Sequence, residues 1–173
     1  MIAMRVVEAT GLRLEPQVEA HAEEMFRVLS DPAIYEYENA PPRSLEWLRA
    51  RFARLESRQS ADGAELWLNW DVRLPGDELA GYVQATVRPG GEAAIAYELA
   101  SAYWGRGLGQ QAVRAMIGEL AQCYEVRSLC AVLKRTNLRS RRMLDRLGFV
   151  LASAERHAAR DVEPDEWLME RGI

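Results

Sequence analysis

The most constraining feature of this sequence is a turn with glycine at every second position, Gly105, Gly107 and Gly109, between a strand-like and a helix-like segment. Glycine has no Cβ atom, so the chain can adopt positive φ angles there and approach a ligand closely. The first N–H groups of the following helix lack helical partners and lie at the positive end of its dipole. Arg106 adds a positive charge. The turn therefore predicts a phosphate-binding site, and a tight turn without a ligand is the alternative.

The segments around this turn change from helical to strand periodicity and back, which predicts a mixed fold. Strands are predicted over 12–15, 66–74, 79–87, 93–99, 128–133, 149–154 and 166–169. Helices are predicted over 18–29, 45–55 and 137–147, and in the segment that follows Gly109. Short turns join the three strands between 66 and 99, so these strands are expected to be antiparallel. The order predicts a single α/β (α+β) domain over residues 1–173, without internal repeat or linker.

Length and composition exclude several classes of protein. The 173 residues are 49% hydrophobic and 28% charged, which is typical of one globular domain with its own core. The formal net charge of −4 argues against nucleic acid as the main partner, because phosphate backbones need a basic face. No apolar run is long enough to span a membrane, and residues 1–11 lack the apolar region of a signal peptide. We therefore expect no membrane partner and a cytoplasmic location.

The cysteines and histidines are too few for a metal centre or a disulfide framework. Cys123 falls in a helix-like segment and Cys130 in a strand-like one, so both are expected to be buried thiols of a reducing cytoplasm. The two histidines, His21 and His157, are far apart in the sequence. These residues predict no metal site.

The turn alone leaves the identity of the phosphate ligand open. Residues 107–112 also fit G-x-G-x-x-A, the fingerprint of dinucleotide-binding folds. Such a fold would place the turn after its first strand and close the next strand with an acidic residue, whereas Lys134 and Arg135 stand there. The lysine followed by serine or threonine of a nucleotide-triphosphate loop is missing. A dinucleotide-binding protein is therefore disfavoured and stays an alternative.

Further motifs resemble one known family. The turn, read as Y-W-G-R-G at 103–107, is followed by N-L-R-S at 137–140 and by L-G-F at 147–149. In this order they resemble the GNAT superfamily of acetyl-CoA-dependent N-acetyltransferases. The Y-W-G-R-G sequence, with L-R-L at 12–14 and S-D-P at 30–32, is similar to the Rim-type branch, whose members resemble the enzymes that acetylate ribosomal-protein N-termini. The resemblance covers about residues 12–169.

The resemblance implies a fold, an activity and a co-substrate. The fold would be a mixed, mostly antiparallel central sheet, splayed at the cofactor site and flanked by about four helices. The activity would be transfer of an acetyl group from acetyl-CoA to a primary amine by direct attack. The acceptor would be a protein N-terminal α-amine or a small-molecule amine, and the enzyme a monomer or homodimer. A non-catalytic acyl-CoA sensor is the alternative, because Leu144 stands where many members have a catalytic tyrosine.

The resemblance also assigns a cofactor site to the strand that ends at Leu99 and to the glycine-rich turn. Pantetheine would pair with the backbone near Leu99, the pyrophosphate would lie on the amides of the turn, and Asn137 would hydrogen-bond the cofactor from the other side. The predicted cofactor-binding residues are Leu99, Trp104, Gly105, Arg106, Gly107, Leu108, Gly109, Gln110 and Asn137.

Two residues are predicted to be catalytic. Glu98 lies in an otherwise apolar strand beside the implied acetyl position, and an acceptor amine must lose a proton before it attacks. Glu98 is therefore the candidate base, with binding of a cationic substrate as the alternative. Ser140 is the candidate acid for the leaving thiolate, and a purely structural hydrogen bond is the alternative. Glu36 and Glu38 are predicted to attract the acceptor amine from the loop between the first two helices.

Overall fold

The structure, a computed structural model, describes residues 2–173 and contains one eight-stranded sheet with five α-helices. The strands are β1 (Val7–Ala9), β2 (Leu12–Pro16), β3 (Leu66–Arg73), β4 (Leu79–Arg88), β5 (Glu92–Leu99), β6 (Ser128–Lys134), β7 (Val150–Leu151) and β8 (Glu166–Gly172). The helices are α1 (Ala22–Val28), α2 (Leu45–Leu55), α3 (Leu108–Cys123), α4 (Leu138–Arg146) and α5 (Ala154–Ala159). The strand order across the sheet is β1-β2-β3-β4-β5-β6-β8-β7.

The sheet is antiparallel except at the junction of β5 and β6. These two strands are parallel and pair only from Glu92 opposite Ser128 to Ala94 opposite Cys130. Beyond these pairs β5 continues to Leu99 without a partner in β6, so the two strands separate. The predicted mixed sheet, mostly antiparallel and splayed at this position, is confirmed.

Helices cover both faces of the sheet because their apolar residues recur with helical spacing. In α3 the buried residues include Val113, Met116 and Leu120, which pack into the main core against the sheet. In α2 the Ser44 hydroxyl accepts a hydrogen bond from Trp47 N at 3.1 Å and caps the helix. Leu48 and Phe52 are buried in a second cluster with α1. The sheet thus lies between α3 on one face and α1 with α2 on the other.

Several short elements differ from the sequence-based interpretation. β1 and α5 were not predicted, because three-residue strands and helices without a buried residue leave no periodicity in a sequence. The predicted strand at 149–154 is only β7, since Ser153 caps α5 through Arg156 N at 3.2 Å. The predicted helix at 18–29 begins as a 3-10 turn at Glu19–His21 before α1.

The described residues 2–173 contain no helix that is both long and apolar enough to cross a membrane. Over the same residues, no group of three or more His, Cys, Asp or Glu side chains is arranged to hold a metal ion.

Candidate acetyl-transfer site

The separation of β5 from β6 opens a cleft of about 510 Å³. Its walls are β5, β6, the glycine-rich turn and the first turns of α4. Of the predicted site residues, the cleft is lined by Glu98, Leu99, Trp104, Gly105, Gly107, Leu108, Gly109, Gln110, Asn137 and Ser140. The fold therefore brings together residues that are more than 40 positions apart in the sequence.

The glycine-rich turn presents unpaired backbone N–H groups to the cleft. Gly105 and Gly107 have φ angles of 76° and 75°, and Gly107 is the N-cap of α3 without any side-chain cap. The first bond into the helix runs from Gln111 N to Gly107 O at 3.1 Å, and within residues 2–173 the amides of 105–110 have no acceptor. A Cβ atom built on Gly105 or Gly107 would meet no atom within 4 Å. The turn thus has both the donors and the space to hold a phosphate group.

Gly109 has a different role from the other two glycines of the turn. A Cβ atom at this position would lie 3.4 Å from Met143 Sδ and 3.6 Å from Leu99 Cδ1. Gly109 therefore allows α3, α4 and the end of β5 to approach one another closely. This packing holds the two walls of the cleft in place.

The backbone of β5 turns polar groups toward the gap at every second residue. Ala100 N donates to Ala80 O at 2.9 Å, so Ala100 points its backbone groups toward β4. Because only every second residue of an antiparallel strand bonds to a given neighbour, the N–H and C=O groups of Leu99 and Tyr97 point away from β4. The Leu99 carbonyl accepts a hydrogen bond from Trp104 Nε1 at 2.9 Å. The Arg139 guanidinium stacks 3.4 Å above the Trp104 ring. The Leu99 N–H lies on the same edge of β5, near the Glu98 carboxylate, whose charge it stabilises.

Glu98 is half-buried where the cleft begins, and its surroundings change its acidity. Burial raises the pKa of Glu98 to about 7, since a carboxylate loses hydration there. The Arg139 charge and the Leu99 N–H oppose this rise, whereas the Glu38 and Asp31 charges add to it. A carboxyl group with a pKa near neutrality can both accept and release a proton at physiological pH.

Ser140 of α4 and Tyr97 of β5 form a pair of hydroxyl groups that lines the cleft. Their side-chain oxygens are hydrogen-bonded to each other. Burial raises the pKa of Tyr97 to about 12, so the phenol stays protonated at neutral pH. Ser140 N also donates to Asn137 Oδ1 at 3.1 Å, which makes Asn137 the cap of α4 and leaves its Nδ2 group to face a ligand. Leu144 is fully buried in the core.

A second cavity, of about 870 Å³, lies between α2 and the face of the sheet that is turned away from α3. It shares Glu38, Tyr82 and Glu98 with the cleft, so the two spaces meet at the end of β5. Tyr82 stands directly opposite Glu98 in the β4–β5 register. Of the two acids predicted to attract an amine, Glu38 lines both cavities, whereas Glu36 is exposed and lines neither.

The basic residues around the cleft fall into three groups. Arg139 and Arg146 line it directly. Lys134 and Arg141 are held in ion pairs with neighbouring carboxylates. Arg106, predicted to bind the cofactor, is exposed beside the turn with its guanidinium over the ring of the adjacent tyrosine. Arg139 and Arg146 are thus the cations nearest to a ligand in the cleft.

The sequence profile of the family described as acetyltransferase (GNAT) domain matches residues 11–150. This chain belongs to that family. The activity predicted from the sequence, transfer of an acetyl group from acetyl-CoA to an amine, is confirmed at the level of the family. No curated protein sequence matches this GNAT chain.

Solved structures show that the GNAT fold extends over the whole chain. RimL, the ribosomal L7/L12 α-N-protein acetyltransferase, was solved in complex with coenzyme A and has a TM-score of 0.82 at 18% identity, over 98% of each chain. The ribosomal-protein-S5-alanine acetyltransferase from Vibrio fischeri has a TM-score of 0.82 at 17% identity, over 98% of this chain and 97% of its own. An acetyltransferase from Thermus thermophilus has a TM-score of 0.71 at 22% identity, over 98% of this chain and 100% of its own.

Asp31 contributes to this GNAT site although the sequence indicated it only as part of S-D-P. One of its carboxylate oxygens accepts hydrogen bonds from Ser101 N at 2.7 Å and Ser101 Oγ at 2.6 Å, and the other accepts one from Ala33 N at 3.0 Å. Asp31 thereby ties the loop after α1 to the residues that follow β5. This loop carries Glu38 to the junction of the two cavities.

Asp31→Ala is expected to lower the free energy of unfolding at pH 7 by about 1 kcal/mol, which is typical of hydrogen bonds to a partly exposed carboxylate. The Ser101 hydrogen bonds lower the pKa of Asp31, so the stabilisation is present above the unfolded pKa and is lost as the pH falls through the folded one. Urea unfolding at several pH values checks this. A native–variant difference that stays the same at low pH would contradict the assignment.

Proposed function

We propose that the splayed cleft binds acetyl-CoA and that a primary amine reaches its acetyl group from the second cavity, with Glu98 as the general base. The observation that carries this proposal is the position of Glu98. It lies where the two cavities meet, and its pKa is about 7. A base at this junction can take a proton from an acceptor amine in the second cavity while the acyl donor lies next to it in the cleft.

The donor half of the proposal rests on the glycine-rich turn. The free amides of 105–110 would hold the pyrophosphate of the coenzyme, with Arg139 and Arg146 as the nearest cations. The Leu99 N–H would polarise the acetyl carbonyl. Acetyl-CoA supplies an activated acyl group, and coenzyme A bound to RimL supports this ligand for the cleft. A dinucleotide is disfavoured by the antiparallel strands before the turn.

In the acceptor half, Glu98 would take a proton from the amine. An α-amine has a pKa of about 8, so much of it is charged and unreactive at neutral pH. Ionised Glu98 first attracts the ammonium group and takes one proton from it, which frees the nitrogen lone pair for attack. Once that proton has passed to solvent, Glu98 accepts the second proton, which the nitrogen loses as it adds to the carbonyl carbon. The two roles predicted for Glu98, base and cation binder, are thus successive steps of one function.

Ser140 would deliver a proton to the departing sulfur. The Tyr97 hydroxyl, hydrogen-bonded to Ser140, would replace that proton and then regain one from solvent, which supplies an acid where Leu144 offers none. Ser140→Ala is expected to lower kcat by about tenfold, less than the full range of acid catalysis because a thiolate is a good leaving group. Tyr97→Phe is expected to give a similar loss in steady-state assays. If the losses of the two variants multiply in the double variant, the hydroxyl pair does not act as one donor.

For the acceptor, we propose the α-amine of a protein or peptide. RimL and the S5-alanine acetyltransferase, both named for protein substrates, share this fold over nearly their whole length, which supports the assignment. Both cysteines are free thiols, although only Cys130 is buried as predicted and Cys123 is exposed. Free thiols and the net charge of −4 suit a cytoplasmic enzyme whose partner is not nucleic acid. Monomer and homodimer are both compatible with this function.

The test is a product screen with the purified chain and acetyl-CoA. Short peptides with a free N-terminus, the same peptides with a blocked N-terminus, and small primary amines are each incubated, and acetylated products are identified by mass spectrometry. Acetylation of the free peptides alone is the expected result. Acetylation of small amines only would overturn the acceptor, and coenzyme binding without any product would favour the acyl-CoA sensor.

A further inference from the structure

One arginine of α2 interrupts the apolar surface that the helix turns toward the second cavity. Helical spacing places Trp47, Leu48, Arg51, Phe52 and Leu55 on one stripe, and all five line that cavity. Arg51 is the charged member of this stripe. The Arg51 side chain lines the cavity while it stays exposed to solvent, as does the Trp47 ring beside it. A charged side chain among apolar cavity-lining residues departs from the pattern that packing alone favours, and such departures concentrate at functional sites.

The Arg51 guanidinium has no carboxylate within ion-pair distance in the described part of the chain, residues 2–173. It lies 5.8 Å from the centre of the Trp47 ring, which supports it from one side. Burial raises the pKa of Tyr82, and the Arg51 charge opposes that rise, which places the guanidinium near the phenol. By contrast, Arg49 on the outer face of α2 is paired with Glu23 at 3.6 Å.

The other cations of the second cavity are already neutralised. Arg88 and Arg160 both contact Glu92, and Arg88 also lies 3.8 Å from Glu65. Asp161 lies beside Arg160 on the wall opposite α2. Arg51 is therefore the free cation of this cavity among the described residues.

The strand surface that lines the second cavity is polar next to the cross-strand row that holds Glu98. Tyr82 and Glu98 form one cross-strand row, and Asn69, Gln84 and Ala96 form the next row on the same face. Rows on one face are separated by two residues, or about 7 Å along the strands. Asn69 and Gln84 offer side-chain amides, and the small Ala96 leaves space above them. The cavity thus has a carboxylate at one end and hydrogen-bond donors with a free cation about 7 Å further on.

We infer that the acceptor carries an anionic group about 7 Å from its reactive amine, held by Arg51 with Asn69 and Gln84 while the amine lies at Glu98. This inference rests on the proposed function and specifies its substrate. A peptide whose first residue is glutamate has this chemistry, as does a small ω-amino carboxylate. Opposite charges at the two ends of the cavity would also orient the acceptor along β4 and β5.

The test uses acceptors that differ only in the anion. The peptide amides Glu-Ala-Ala and Gln-Ala-Ala form one pair, and 5-aminopentanoate with 5-aminopentanamide forms the other. For each pair, kcat/KM is measured by thiol release from acetyl-CoA. The native enzyme is expected to prefer the anionic member of at least one pair by about tenfold, the size of one partly exposed charge-assisted contact. The pair that shows the preference identifies the peptide or the small molecule as the source of the anion.

Arg51→Gln is expected to give about equal kcat/KM for the anionic and the neutral acceptor, and Arg51→Glu is expected to favour the neutral acceptor. Arg49→Gln is the matched control, because Arg49 lies on the outer face of α2, pairs with Glu23 and lines neither cavity. Equal kcat/KM for charged and neutral acceptors in the native enzyme would overturn the inference and leave the acetyltransferase standing. Absence of thiol release with every acceptor would overturn the proposed function and the inference with it.

Discussion

Glu98→Gln lowers kcat by about 100- to 10,000-fold, the usual range for loss of a general base. Glutamine keeps the shape of the side chain but cannot take a proton from the amine. Acetyl-CoA affinity should stay close to that of the native enzyme, because the groups proposed to hold the coenzyme phosphates are the turn amides, Arg139 and Arg146 and do not include Glu98. Steady-state kinetics with a saturating acceptor, together with calorimetric titration of acetyl-CoA, separate these two effects. Glu36→Gln, an exposed carboxylate outside both cavities, is the matched control.

The pH profile distinguishes a base from a residue that only binds the substrate. The pKa of Glu98 is raised to about 7, so the ionised, active form of the base is lost below that pH. Native kcat should therefore rise with pH through about 7 and then level off. In Glu98→Gln this rise should disappear. An unchanged profile in the variant would show that Glu98 is not the base.

The contribution of Glu98 to the free energy of unfolding should fall as the pH rises, whereas its contribution to kcat should increase. A pKa that is raised in the folded state means that the folded chain binds this proton more tightly than the unfolded chain does. The stabilisation of the folded state by protonated Glu98 is fully present below the pKa that Glu98 has in the unfolded chain, and it is lost as the pH rises through about 7. At pH 8, Glu98→Gln should therefore unfold at a denaturant concentration no lower than the native chain. A less stable variant at that pH would mean that the ionised carboxylate has a structural partner.

Gly107→Glu is expected to weaken acetyl-CoA binding by about 100-fold or more. An L-residue in the left-handed region costs about 1–2 kcal/mol, which strains the first turn of α3. The new side chain also places a negative charge beside amides that would otherwise hold phosphate. Calorimetric titration with acetyl-CoA measures the loss.

Gly11→Glu is the matched control for this substitution. Gly11 has a φ angle of 79° and open space around its Cβ position, as Gly107 does, but it lies in the turn between β1 and β2, outside both cavities. Both variants should lose similar stability, and only Gly107→Glu should lose the ligand. Equal losses of affinity would mean that general destabilisation, not the turn, accounts for the effect.

The glycine-rich turn and the sheet around it could be predicted from the sequence because their signals are local. Alternating glycines before an amphipathic helix predicted the turn, and hairpin spacing predicted the antiparallel strands β3 to β5. The gap between β5 and β6 has no local signal, since both strands are largely apolar. That feature came from the resemblance of ordered motifs to a family and is confirmed by the register of the two strands.

The remaining features depend on contacts between distant residues. The hydroxyl pair joins Tyr97 to Ser140, and Asp31 reaches Ser101, but neither pair has a spacing rule that a single sequence reveals. The raised pKa of Glu98 depends on burial by loops that the sequence placed only approximately. Arg51 did have a local signal, a charge within the apolar stripe of α2, which becomes informative once the stripe is seen to line a cavity.

The most direct test of the central claim is acceptor-dependent thiol release from acetyl-CoA by the native chain, followed across pH. The account predicts negligible release without an amine, and with a peptide α-amine a rate that rises through about pH 7 as Glu98 ionises. Glu98→Gln should retain only the inflection that belongs to the acceptor's own amine. Release that is independent of the amine, or no release with any acceptor, would contradict acetyl transfer at this site.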